Sequence, residues 1–178
     1  MKRTVTLLSA AILVSGTALF AQTGNSDRMT GPGSPDQNFM MKAAQGGMAE
    51  VKMGQLATQN AQSQAVKDFG QKMVDDHSKA GDELKGLAGQ KSVTLPTDLD
   101  AKDQATYDRL SKLNGAAFDK AYMRDMVMDH RKDIADFQHE ANNGRDPDVK
   151  AWASKTLPTL QEHLRIAQDT DTKVRSEQ

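Results

Sequence analysis

Residues 73–80, MVDDHSKA, lie in a segment whose core-phase positions are Val66, Phe69/Gly70, Met73, His77, Ala80 and Leu84, three or four residues apart. That spacing puts them on one stripe of an α-helix, with a histidine where the stripe asks for leucine. The same pattern recurs along the chain and decides the fold class. One helix is predicted from about Asp36 to Asn60, with Asp36 or Asn38 as cap and Phe39, Ala43, Gly46, Glu50, Gly54, Ala57 and Ala61 in phase. The segment quoted first belongs to a second helix, from Ser63 to about Gly89.

After Pro96, DLDAKDQATYDRLSKLNG reads as a shorter connecting helix that Asn114-Gly115 stops. A third long helix spans about Ala116 to Asn142, with Phe118, Tyr122, Met126, His130, Ile134, Phe137 and Ala141 in phase. NNGRDP is then a turn, with Asp146 as cap and Pro147 at the first helical position of the last helix. Its stripe is Val149, Ala153, Thr156, Leu160, His163 and Ala167, and Pro158 predicts a kink or a restart inside it. Two helix pairs with tight turns and one long connector predict an all-α antiparallel four-helix bundle whose crossover carries a short extra helix. The Gly46-Gly47 pair costs helix stability and is expected where another helix approaches closely.

The start of the chain reads differently. MKR followed by the apolar run TVTLLSAAILVSGTALF predicts a secretory signal over residues 1–21, with Ala18 and Ala21 as cleavage points. A mature N-terminus at Leu19 or Gln22 is expected, and the intact mass of exported protein checks it. A species that keeps Met1 and pellets with membranes would be the anchored alternative. Residues 22–35 are rich in Gly, Pro and Ser and read as a flexible leader, the bundle occupies 36–171, and 172–178 reads as a disordered tail. After processing, no integral membrane span is expected, and the localisation is periplasmic or secreted.

Composition narrows the chemistry. With no cysteine there are no disulfides, thiolate metal sites or thiol nucleophiles, so histidine, carboxylate and methionine are the available ligands. Removing Lys2 and Arg3 leaves 21 basic against 24 acidic residues, near −3, which gives no electrostatic case for nucleic acid. No nucleophile with a base, phosphate loop or acid/base pair is visible, so an enzyme is not expected. Which protein partner the chain has is not readable from its sequence.

Each long helix carries one ionisable residue in core phase near its middle: Glu50, His77, His130 and His163. Antiparallel pairing brings these to one height. Four buried polar groups at one level are costly unless they bind something or satisfy one another. They are the candidate metal ligands, in a mononuclear Glu/His3 centre suited to Zn, Fe, Ni or Cu(II). The competing reading is a metal-free structural or interaction module with a buried His/Glu network. His139, nine residues past His130 at about 100° each, points away and serves as a control. Asp76, Asp129 and Glu162 each precede a histidine, and are read as outer partners on neighbouring helices or as solvated charges. Met40, Met41, Met48, Met53, Met73, Met123, Met126 and Met128 could bind Cu(I), but core filling explains them more simply. With His77, His130 and His163 buried as neutral rings, apo stability is expected to rise with pH and to fall on acidification below about pH 6.5.

The runs FMMKAAQGGMAEVKMGQLA, VKDFGQKMVDDHSKAGDELKGLA, LNGAAFDKAYMRDMVMDHRKDIADF and VKAWASKTLPTLQEHLRIA resemble, in order, a bacterial exported domain-of-unknown-function family labelled predicted outer-membrane proteins. The resemblance covers about Asp36 to Asp171 and implies a ferritin-like four-helix bundle, with a role in envelope stress tolerance or metal handling. It singles out Glu50, His77, Phe118-Asp119, His130, Leu157-Pro158 and His163. Nothing here has the alternating strands of a membrane barrel. The dinuclear ferritin pattern needs Glu three residues before histidine on two helices, and here those positions hold Val74, Val127 and Leu160. A second set of carboxylates, and with it ferroxidase chemistry, is therefore not expected.

Overall fold

The computed structural model describes residues 33–176. The expected signal segment and nearly all of the leader lie outside the described residues. All regular structure among the described residues is helical: α1 (Pro35–Asn60), α2 (Gln64–Gln90), α3 (Ala101–Leu110), α4 (Gly115–Asn143) and α5 (Pro147–Ser176). Its closest packing is within the antiparallel pairs α1/α2 and α4/α5. The pairs meet through α1 against α4 and α2 against α5, and the crossover helix α3 lies across α1 and α4. This is the four-helix bundle with an extra crossover helix that the periodicity predicts.

Two differences at helix ends have local causes. α1 begins earlier than expected, because Ser34 is the cap, accepting from the Gln37 amide, and Pro35 takes the first turn. Asp36 is thereby free for a tertiary role. It is buried and accepts from the Arg145 and Asp146 amides, so the start of α1 clamps the α4/α5 turn. Asp119 of α4 does the same at the other end, accepting from the Gln62 and Ser63 amides of the α1/α2 turn at 3.1 and 2.9 Å. α5 neither stops nor restarts at Pro158. It runs on to Ser176 with Val174 buried, past the Asp171 expected to end the bundle.

The glycines sort into two kinds. A Cβ on Gly54 would meet the Gly70 carbonyl at 2.6 Å, and one on Gly70 would meet the Ala57 Cβ at 2.6 Å. The α1/α2 crossing therefore needs both. Gly46 and Gly47 do not serve a close helix contact as expected: a Cβ on Gly46 meets only the Asp133 Oδ2 at 3.9 Å, and one on Gly47 meets nothing within 4 Å. Gly54→Ala or Gly70→Ala should cost about 1–3 kcal/mol from overpacking, whereas Gly47→Ala should stabilise by up to about 1 kcal/mol through helix propensity. Urea unfolding midpoints check the contrast; equal effects at Gly47 and Gly70 would refute it.

The apolar core is in two parts. Met53, Ala57, Phe69, Met73, Tyr122, Met126 and Ala167 belong to one cluster, and Phe39, Met40, Leu84, Phe137, Trp152 and Leu160 to the other. Along every long helix the change from one cluster to the other falls at the polar residue of the stripe. Met40, Met53, Met73, Met123 and Met126 are buried as core packing, while Met128 is exposed.

Candidate functional site

The structure brings Glu50, His77, His130 and His163 together between the two apolar clusters. Glu50, His130 and His163 are fully buried and His77 nearly so. The imidazole rings stand 5.3 to 5.9 Å apart between centroids, and one nitrogen of each lies within 4.8 Å of the others. Bundle geometry explains the convergence, since each residue sits mid-helix and the turns at both ends are clamped.

The hydrogen bonds fix much of the proton arrangement. His130 donates from Nδ1 to the Met126 carbonyl at 3.0 Å, the carbonyl one turn earlier on its own helix. His163 Nε2 is 2.8 Å from the Asp76 carboxylate of α2, so the proton of a neutral ring sits there. The remaining nitrogens, His130 Nε2 and His163 Nδ1, then face each other at 3.3 Å with two lone pairs and no proton between them. An outer carbonyl or carboxylate on one nitrogen and a free lone pair on the other is how protein imidazoles are prepared for a metal.

Glu50 stands beside the three histidines, and its carboxylate gathers with Asp129 and Asp133 and not with the inward-facing nitrogens. Its Oε2 is 2.9 Å from His77 Nε2 and its Oε1 is 3.3 Å from His130 Nδ1. Neither approach is aligned as a hydrogen bond. Both oxygens and His77 Nε2 lack hydrogen-bond partners among the described residues. Burial pushes the Glu50 carboxyl up to about 8, helped by Asp129 and Asp103 and opposed by His130 and Lys132. Burial depresses His77 to about 4, against the pull of Asp133, Asp76 and Asp129. It also depresses His163 to about 4, against the Asp76 hydrogen bond, with His77 and His130 lowering it further. His130 is likewise lowered by burial, Glu50 opposing. Without a cation the centre is therefore neutral near pH 7.

The outer acids divide three ways. Asp76 orients His163; burial alone would raise its pKa, but hydrogen bonds from Lys72 and His163 hold it below its ordinary value. Glu162 is a surface charge paired with Arg165. Asp129 joins Asp133, one helical turn on, and their carboxylate oxygens lie within 4.8 Å of a Glu50 oxygen. Burial raises both aspartates, Asp133 well above the usual range. A second group of carboxylates thus does reach Glu50, contrary to the expectation from the positions three before each histidine. It enters one residue before and three after His130. Asp129 and Asp133, at i and i+4 on one helix face, carried the signal. The Tyr122 hydroxyl, buried without a hydrogen-bond partner, is raised by burial and by Glu50. His139 is exposed and pairs with Asn143. Phe118-Asp119 proves structural, a core ring and a turn clamp.

A family model described as a domain of unknown function, DUF4142, matches residues 21–170. The chain belongs to the DUF4142 family. No curated protein matches it. This DUF4142 bundle is similar to the crystal structure of a DUF305 fragment from Deinococcus radiodurans, with a TM-score of 0.70 at 12% identity, covering 79% of this chain and 97% of that one. It is also similar to a DUF305 protein of Streptomyces coelicolor described as secreted, with a TM-score of 0.68 at 13% identity over 79% and 92% of the two chains. At such identities the likeness concerns the fold. No described helix of the DUF4142 chain is long and apolar enough to cross a membrane.

Proposed function

We propose that this protein is an exported bundle of the bacterial envelope that holds one transition-metal ion at Glu50, His77, His130 and His163, in metal handling and through it stress tolerance. The observation that carries the reading is the pair of inward lone pairs on His130 Nε2 and His163 Nδ1, 3.3 Å apart. Beside them stand His77 Nε2 and a Glu50 carboxylate without a hydrogen bond. A metal ion bound by these atoms would relieve the facing lone pairs and give Glu50 and His77 partners at once. Nitrogen-rich ligation favours Zn, Cu(II), Ni or Fe over Mg or Ca. Export is supported by the charged and apolar start of the chain.

The metal-free network module has one observation in its favour, the linked contacts from Met126 through His130 and His163 to Asp76. It leaves Glu50 without a hydrogen bond. Elemental analysis of protein purified from the periplasm decides between them. Close to one equivalent of a transition metal, lost in the His163→Ala variant, is expected; metal-free protein that also refuses added metal would favour the network.

A further inference from the structure

A cleft of about 880 Å³ beside α1 runs from solvent to Glu50 and His77. Its size falls in the range of roughly 300–1,000 Å³ typical of small-molecule sites. One wall is apolar: Phe39, Phe137 and Trp152 contact one another with ring centroids 4.9 to 6.0 Å apart, and Leu84 and Leu160 continue the surface. The wall formed by α1 is thin, because Gly46 and Gly47 place no side chains there.

The polar groups of the cleft have a clear sign. Its buried charged residues are all acidic, Asp36, Glu50 and Glu140, whereas its lysines, Lys42, Lys52, Lys85 and Lys132, are exposed. Both Glu50 oxygens lack a hydrogen bond at the inner end. We propose that the cleft binds an organic cation with an apolar body, a hydrophobic ammonium, whose ring or chain lies against Phe39, Phe137 and Trp152 while its charge reaches Glu50. The aromatic side chains take the apolar body, by burial and by ring contact. An ammonium also supplies the donors that Glu50 lacks, which an anionic amphiphile cannot do.

This inference does not rest on the metal reading, although the two ligands would compete for Glu50. Trp152 is the only tryptophan in the chain, so its fluorescence reports on the cleft directly. Chelator-treated protein is titrated with 2-phenylethylammonium and with its neutral counterpart 2-phenylethanol, by fluorescence and calorimetry. Above about pH 8, where Glu50 is ionised, the ammonium should give a saturable Trp152 signal and bind at least about tenfold more tightly than the alcohol, as expected when a charge meets a desolvated carboxylate. Glu50→Gln should erase that preference, and Gly46→Leu should fill the cleft and weaken both ligands. No saturable signal at millimolar ammonium, or an alcohol that binds as tightly, overturns the proposal. So does binding that survives both Glu50→Gln and Gly46→Leu. Each result is read without metal, so none of them bears on whether the histidines hold one.

Discussion

Replacing His77, His130, His163 or Glu50 by Ala should each remove most of the thermal stabilisation that a transition metal confers, while His139→Ala should leave it unchanged. A ligand that binds only the folded state stabilises it by about 2.7 kcal/mol at a hundredfold excess over Kd. For a chain of this size that raises Tm by roughly 5–10 °C. The four side chains converge from four helices, so loss of any one removes a ligand without disturbing the clamped turns at Asp36 and Asp119. His139 is exposed and bonded to Asn143, and helical phase turns it away from the centre. Asp76→Asn should be intermediate. It keeps every ligand but loosens the His163 ring, which typically weakens metal binding by about ten- to a hundredfold. Melting of chelated and metal-loaded samples of each variant checks the set, each compared with its own apo form because the replacements alter apo stability as well. A shift abolished by His139→Ala and spared by His77→Ala would move binding to the surface.

The residues at one height were readable because the bundle imposes few choices. Antiparallel pairing with short turns matches positions counted from the turn, so Glu50 with His77 and His130 with His163 followed from spacing alone. Which outer acid meets which histidine did not follow. That depends on which helix neighbours which, and only the arrangement of α2 against α5 brings Asp76 to His163 rather than leaving it solvated. Asp36 misled for a similar reason: its side chain suits a cap, yet Ser34-Pro35 does that work locally and releases the carboxylate for a contact 109 residues away. The Gly46-Gly47 pair shows the limit of propensity arguments. A helix gives up side chains for a close neighbour or for an open space, and periodicity cannot distinguish these; the true close approach is at Gly54 and Gly70.

Metal-free protein should lose stability as pH rises from about 6.5 to 8, where neutral histidines alone would leave it unchanged. His77 and His163, depressed to about 4, bind fewer protons folded than unfolded. Their contribution is present above the unfolded value of 6.5 and is lost as pH falls towards 4. Glu50, raised to about 8, and Glu140, raised to about 7 by burial and by Asp36, act oppositely. Folded, they keep a proton that the unfolded chain releases near 4.5, so their contribution is present below that value and is lost as pH rises through 7 and 8. Between about 4.5 and 6.5 the two sets largely offset each other. Above 6.5 the carboxyl groups act alone, each with a slope of up to about 1.4 kcal/mol per pH unit. Glu50→Gln cannot lose that proton and should flatten the decline to what Glu140 and the raised Asp133 contribute. A bound metal needs Glu50 ionised, so metal uptake at pH 7 should release close to one proton, measured by calorimetry in buffers of different ionisation enthalpy. Uptake with no proton release would mean that Glu50 is not a ligand, leaving the three histidines to hold the ion by themselves.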